Sequence, residues 1–422
     1  MDIHASPASL PELDEFLATF QVRFRRPEGE AALERSLTGL RTELPNKNGD
    51  TMAEAVPGTS EQRLQEFLTN MQWDETDLNR QRVEKLIAET TVGNGVLIFD
   101  DTGFAKQGKA SVGVARQYSG TLGKVGNCQV AVTCCYSDVH ASWPVAVRLY
   151  LPQDWTDAPE RLRRARVPAE VTFQTTPQIA LALLDQARAW GVPQRGVVAE
   201  ADYGDNPHFL AGLETRRERY VVAVRSDFQV RLQGREAPHA QRIDQVLSAV
   251  PRRQWRTIRW RHGSKGGLRK QCVAVRAWRI TAEGDTRIGW LLGERAARGQ
   301  PEDHKYYWSN LPASASLEEE VDYAQRRHAI EQFHEEAKEE LGWDQYQGRV
   351  WPGLHRHAVT VMLAMSFLIG LEFRQRQSHA HRGRPRDPFS PSAGSLAART
   401  ASSASGGSAV AAPPSCALVD IH

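Results

Sequence analysis

Two short apolar runs, each ending in acidic residues, constrain this chain more than any other feature. Gly95-Val96-Leu97-Ile98-Phe99 enters Asp100-Asp101, and Val197-Val198-Ala199 enters Glu200 and Asp202. Unbroken apolar runs of this length suit strands covered on both faces, in the middle of a sheet. Asn127–Tyr136 and Trp143–Leu151 read as further strands. Pro177–Trp190 reads as a helix with Ile179, Ala182, Leu183 and Ala187 on one side. A strand-rich block followed by a helix and another strand predicts an α/β domain with a mixed sheet.

The rest of the chain is organised around that block. Its 422 residues imply two or three domains at about 100–200 residues each. Residues 1–92 read as helical: Leu64, Phe67, Leu68 and Met71 fall at helical intervals after a Pro57-Gly58-Thr59-Ser60 turn that offers an N-cap. Residues 226–313 change character, with tryptophans among β-branched residues and glycine turns. Between Arg252 and Arg279 there are ten Lys and Arg and no acid, so this block predicts a β-rich, basic insertion. Leu317–Leu341 then reads as one long helix ended by Gly342, and His355–Phe373 as a mainly apolar helix. The Ser/Ala/Pro/Gly-rich stretch 375–422 cannot supply a core and is expected to be disordered.

Composition excludes several classes. With 41% hydrophobic and 25% charged residues, a sizeable core is possible and global disorder is ruled out. Five cysteines, two of them adjacent at Cys134–Cys135 and none in a CxxC pair, make neither a disulfide scaffold nor a zinc site. The opening MDIHASPASLPELDEF lacks the basic-then-apolar pattern of a signal peptide. The apolar stretch Val359–Leu371 spans about 13 residues, short of the ~20 that cross a bilayer. A soluble, cytoplasmic protein without a membrane partner is expected. The net charge of +2 hides the local basic block.

Asp100, Glu200 or Asp202, and Glu331 are the carboxylates that strand ends and a helix packed across them can bring together. Such a cluster calls for a hard divalent cation with oxygen ligands, Mg²⁺ or Mn²⁺. Two ions a few Å apart can activate water and stabilise the leaving oxygen in phosphodiester cleavage. Arg327, Glu331, His334 and Lys338 follow i, i+4, i+7, i+11 and share one helix face. Spacing alone equally allows a solvated face with ordinary ion pairs, turn-forming acids at strand ends, and a basic block that merely faces solvent.

Several blocks, in order, resemble the insertion-sequence transposases of the DDE class, whose catalytic domain is ribonuclease-H-like. They are Phe99–Gly108 (FDDTGFAKQG), Ser111–Thr121 (SVGVARQYSGT), Asn127-Cys128-Gln129, Tyr203-Gly204-Asp205-Asn206, and Arg327-His328-Ala329-Ile330-Glu331 leading to Lys338, Glu340-Leu341-Gly342, Tyr346 and Gly348-Arg349. The resemblance covers about residues 20–372. It implies a ribonuclease-H-like mixed sheet with flanking helices over 93–225 and 314–374, interrupted by the 226–313 insertion and preceded by a DNA-binding helical region. Asp100 would be the first acidic ligand and Glu331 the last. Arg327, Glu331 and Lys338 match the family's Arg–Glu–Lys signature. The signature tyrosine should stand at Ala324, with Tyr323 next to it. The family has Asp where this chain has Glu200 and a small or apolar residue where it has Asp202. Either Glu200 binds metal with a longer arm, or Asp202, on the same side of an extended strand, substitutes for it.

The activity so implied is cut-and-paste transposition: DNA cleavage at the element ends and joining of the freed 3′-hydroxyl to target DNA. Asp100, Glu200 (or Asp202) and Glu331 would ligate two Mg²⁺ ions, which Mn²⁺ can replace. Arg327 and Lys338 would contact phosphate near the scissile bond, and the basic insertion, with Arg256, Arg259 and Arg261, would track the DNA. Trp308 is a candidate to stack on a displaced base, as an insertion tryptophan does in the family, and Trp255, Trp260, Trp278 and Trp290 compete for that role. The partners would be double-stranded DNA, as terminal inverted repeats and target, and a second copy of the chain at synapsis, in a prokaryotic cytoplasm on the nucleoid. A non-transposing nuclease of the same fold and an inactive DNA-binding relic are the alternatives.

Overall fold

The computed structural model describes residues 10–21, 24, 28–90, 93–232, 239–263, 266–281, 284–296 and 304–380, with the backbone alone at 260–263, 266–268 and 377–380. Twelve strands form one sheet: β1 Gly95–Ala105, β2 Ala115–Ser119, β3 Lys124–Ser137, β4 Ser142–Leu149, β5 Gln194–Ala199, β6 Tyr220–Val224, β7 Gln229–Leu232, β8 Gln241–Arg242, β9 Arg256–Gly263, β10 Gly266–Ile280, β11 Thr286–Arg295 and β12 His304–Ser309. The order is β2-β3-β1-β5-β6-β12-β11-β10-β7-β8, with β4 on the outer edge of β3 and β9 beside β10.

β1, β5 and β6 are parallel, and β3 is antiparallel to β1. This is the ribonuclease-H-like mixed arrangement, and it follows from the apolar runs. Val96, Leu97, Ile98 and Phe99 are all fully buried because helices cover both faces. One face carries Ile179, Leu183 and Leu184 of the Thr176–Ala189 helix, packed with Leu97, Phe99 and Val197. The other packs Val96, Ile98 and Val198 against Val321, Ile330 and Phe333, from the helices Leu317–Arg326 and His328–Glu339, and against Val361, Leu363 and Phe367 of the Trp351–Ala380 helix.

β12 pairs antiparallel with β6, so the strands of the basic region extend the central sheet. Five helices between Pro11 and Glu89 precede it, among them Glu61–Thr69, capped by the Ser60 side chain, and Glu75–Glu89, capped by Asp74. Arg82 of the last helix is fully buried. It donates to Asn79 Oδ1 at 2.8 Å, the Val145 carbonyl at 2.9 Å and Ser366 Oγ at 3.1 Å, fastening this region to β4 and the long helix.

Three expectations change. The helix expected over Leu317–Leu341 is two helices that break at Arg327, where Ile330 N–H bonds the Arg327 carbonyl in a tighter i→i+3 turn. Gly342, with φ +63°, follows the second helix in the left-handed conformation that glycine adopts freely. The apolar helix expected over His355–Phe373 runs from Trp351 to Ala380, so the first residues of the 375–422 stretch are helical; 381–422 lie outside the described residues. Its portion Trp351–Arg376 is long and apolar enough to cross a membrane, but 89% of its most apolar window is buried against the rest of the fold. Cys128, Cys134, Cys135 and Cys272 are buried free thiols.

Candidate active site

Asp100 and Glu200 follow directly from the sheet. Phe99 and Ala199 are partners in the parallel β1–β5 pair, so the next residue on each strand emerges at the same edge of the sheet. The His328–Glu339 helix crosses this edge and brings Glu331, His334 and Lys338 with it. Arg327, at the break, lies between the carboxylates. Its guanidinium pairs with Glu200 and also donates to Glu331 Oε1 at 2.8 Å. The structure therefore brings Glu200 and Glu331 to one cation, and Asp100 lies close enough to feel both Arg327 and Glu331.

The electrostatics differ sharply across the cluster. Burial raises Asp100 to about 7, opposed by the Asp101 N–H bond to its Oδ1 at 2.8 Å. Glu331 moves the other way, to about 2, because His328 Nδ1 at 3.2 Å and Arg327 stabilise its charged form. His334 is nearly buried, 3.9 Å from Asp100 Oδ2, and desolvation with the nearby Lys338 charge lowers it to about 3. Its ring is thus neutral near pH 7. Thr133 donates its hydroxyl hydrogen to the Asp100 carbonyl at 2.9 Å and so accepts from His334 Nε2 at 2.8 Å. Lys338 donates to the Gly103 carbonyl and Thr121 Oγ1, both at 3.2 Å, and burial lowers its pKa.

The structure separates Glu200 from Asp202. β5 ends at Ala199, and Ala201–Gly204 is a helical turn with Glu200 at its N-cap, so the two-residue alternation of a strand does not extend to residue 202. Asp202 points to solvent, 67% exposed, and pairs with Arg225. Asp202 and Glu200 do not share a side. Tyr203 of the same turn is fully buried and donates its phenolic hydrogen to Asp101. Burial raises Asp101 to about 6 against the opposing bonds from Tyr203 and Thr176. The chemistry of a half-buried Asp beside a buried Tyr was not anticipated from sequence; the adjacent Asp100-Asp101 pair was its only signal.

Other candidates separate from the cluster. Tyr323, beside the expected tyrosine position Ala324, is buried and donates to the Arg195 carbonyl at 2.9 Å. Trp308 is 1% exposed and packs on Phe228, so its expected role in stacking on a displaced base is incompatible with this position. Arg256 is exposed and paired with Glu318, and Arg259 is exposed on the same strand. The Arg261 backbone is in β9, and its side chain lies outside the described residues. A cavity of about 480 Å³ between β4, the Thr176–Ala189 helix and the long helix is lined by Arg148, His355 and Gln174 among others, and by none of the clustered carboxylates.

Among the described residues, no three His, Cys, Asp or Glu side chains are gathered tightly enough to enclose an ion in this arrangement. The Arg327 guanidinium accounts for that, since it supplies the positive charge between Glu200 and Glu331. Asp100, Glu200 and Glu331 carry the oxygen donors that a hard divalent cation takes.

The chain is similar to several known proteins. Over 347 residues the chain is 26% identical to the probable transposase for insertion sequence element IS701 of Microchaete diplosiphon, covering 81% of this chain and 83% of that protein. Two solved structures are similar at low scores. The piggyBac transposase synaptic complex with hairpin DNA matches at a TM-score of 0.40 and 11% identity, over 90% of this chain and 71% of the other. The NurA nuclease from Sulfolobus solfataricus matches at 0.28 and 8%, over 70% and 87%. The profile of the DDE superfamily endonucleases matches residues 16–267, and the chain belongs to that family.

Proposed function

We propose that this endonuclease is a DNA transposase that cleaves the ends of an insertion element and joins them to target DNA. The observation that carries the reading is the shared bridge: Glu200 and Glu331, from different elements, meet at Arg327 beside the half-buried Asp100. The similarity to an insertion-sequence transposase along four-fifths of the chain supports it.

Asp100, Glu200 and Glu331 would hold the divalent ions, two Mg²⁺ or Mn²⁺. When bound there, the ions supply the positive charge that favours attack on a phosphodiester and departure of the leaving oxygen. Arg327, whose guanidinium pairs with Glu200 and Glu331, would also contact phosphate near the scissile bond, for which its planar fork is suited. Lys338 orders the segment after Asp100 through the Gly103 carbonyl and would contact phosphate near the scissile bond. His334, neutral and held by Thr133, fixes the position of the strand that carries Asp100. Arg256, Arg259 and Arg261 of β9 would contact phosphates along the DNA, including terminal inverted repeats, without reading sequence. Two copies would act together on two ends, on DNA in a prokaryotic cytoplasm.

The test is a cleavage and strand-transfer assay with cloned element ends and a target plasmid in Mg²⁺. The wild type should nick the ends and join them. Asp100→Ala and Glu331→Ala should each lose both steps while retaining DNA affinity, which comes mainly from Lys and Arg. Nicking without joining would point to a simple nuclease, and cleavage by either variant would refute the carboxylate assignment.

A further inference from the structure

We propose that the β2–β3 hairpin is a second DNA-contacting surface, which grips the DNA beside the cleavage centre on the side opposite the basic insertion. The inference rests on the transposase reading above.

Charge marks this segment first. From Thr102 to Ser137 the chain carries Lys106, Lys109, Arg116 and Lys124 and no acidic residue. Lys106 is used internally, donating to the Tyr346 carbonyl at 2.6 Å. Lys109, Arg116 and Lys124 are exposed, and none makes an ion pair among the described residues. Clustered cations without acidic partners are the electrostatic footprint of a polyanion-binding surface.

The apolar surface of the hairpin points the same way. Tyr118 is 61% exposed and Val125 51%, and the two are direct cross-strand partners in the β2–β3 ladder. Such a pair, in a hairpin that also carries Arg116 and Lys124 and no acid, is poorly suited to water and well suited to a base step, where aromatic and apolar side chains stack or wedge.

Position supplies the third argument. Ser119, next to Tyr118, turns inward and is 2% exposed, and a Cβ on Gly103 would lie 2.0 Å from its Oγ. Gly103 N–H also donates to Thr121 Oγ1 at 3.3 Å, and Lys338 donates to the same oxygen. The hairpin tip is therefore fastened to a point three residues beyond Asp100, roughly 10 Å along β1, and to the helix that bears Glu331. In the sheet order, β1 and β5 lie between this hairpin and the basic strands β9–β11. DNA lying over the carboxylates would meet cations on both sides.

The test uses the full chain and a fluorescent DNA duplex with a central nick, titrated over a range of salt. The triple variant Lys109→Gln, Arg116→Gln, Lys124→Gln should lower the slope of log K against log salt by about 0.9 for each phosphate that is no longer neutralised, and by about 2.7 if all three cations contribute. Tyr118→Ser should weaken binding roughly tenfold with the slope unchanged, and Tyr118→Phe should restore wild-type affinity. An unchanged slope in the triple variant overturns the proposal. A measurement on the wild type guards against loss of folding. Iodouracil placed at the nick and photo-cross-linked should leave its adduct on the tryptic peptide Gln117–Lys124, and adducts on other peptides with none there overturn the proposal. Wild-type protein that binds no DNA removes the transposase reading as well, whereas wild-type binding with unaffected hairpin variants removes the hairpin surface alone.

Discussion

Tyr203 donates its phenolic hydrogen to the half-buried carboxylate of Asp101, and this bond fastens the turn that presents Glu200 to the strand that presents Asp100. Asp101 faces away from the cluster, yet its own N–H holds Asp100 Oδ1. Two of the three proposed ligands thus share one buried tie. Tyr203→Phe keeps the ring packed on Phe209 and leaves Asp101 short of a donor. It should cost about 1–3 kcal/mol of stability, measured by chemical denaturation, and lower cleavage while DNA affinity holds.

The two acids after β5 should respond in opposite ways to loss of charge. Asp202→Asn removes one partner of an exposed pair with Arg225, which is worth at most about 1 kcal/mol, and should leave cleavage near the wild-type rate. Glu200→Gln removes the carboxylate that Arg327 holds and should abolish cleavage. Parallel rate measurements on the two purified variants check this, and a lethal Asp202→Asn would reassign the second ligand.

Glu320 gives the fold a pH dependence that can be isolated. It is 1% exposed on the Leu317–Arg326 helix, accepts from Ser309 Oγ at 3.1 Å, and is raised by burial to about 8, with Glu319 adding to the shift and Ser309 and Arg276 opposing it. The folded state then holds this proton more tightly than the unfolded chain. Its contribution is complete below about pH 4.5 and is lost as pH rises to about 8, at up to about 1.4 kcal/mol per pH unit. The stability difference between wild type and Glu320→Gln, followed by denaturation from pH 4 to 9, should show this slope, and a flat difference would contradict it.

Arg82 should be the most sensitive polar residue of the helical region. It carries its charge in a buried site with neutral partners, and burial lowers its pKa to about 9. Arg82→Ala leaves a cavity and strips a donor from the Val145 carbonyl and Asn79. A loss of about 3 kcal/mol or more is expected, measured as a shift in denaturation midpoint.

Much of the catalytic sheet was legible because both faces of β1 and β5 are covered, which forces unbroken apolar runs that end where the two strands stop pairing with each other. Asp100 was readable for the same reason. The Glu200–Asp202 choice was not, because it depends on where extended backbone gives way to a helical turn, and that switch at residue 200 has no strong local signal. The helix break at Arg327 was equally hidden: no proline or glycine marks it, and the periodicity runs through it. Trp308 looked available in a basic, aromatic-rich block, but β12 joins the central sheet at β6 and buries the ring. The Tyr203–Asp101 bond spans about a hundred residues, and spacing carries no trace of it.

Asp100, Glu200 and Glu331 would form one cation site, which the Arg327 guanidinium would hold closed in the free protein through its pairs with Glu200 and Glu331. Titration of Mn²⁺ into the wild type and the Asp100→Asn, Glu200→Gln and Glu331→Gln variants, followed by electron paramagnetic resonance of the free ion, tests it most directly. The account predicts Mn²⁺ uptake by the wild type, weaker uptake in every variant, and tighter uptake in Arg327→Gln. Equal uptake by the wild type and all three carboxylate variants would contradict it.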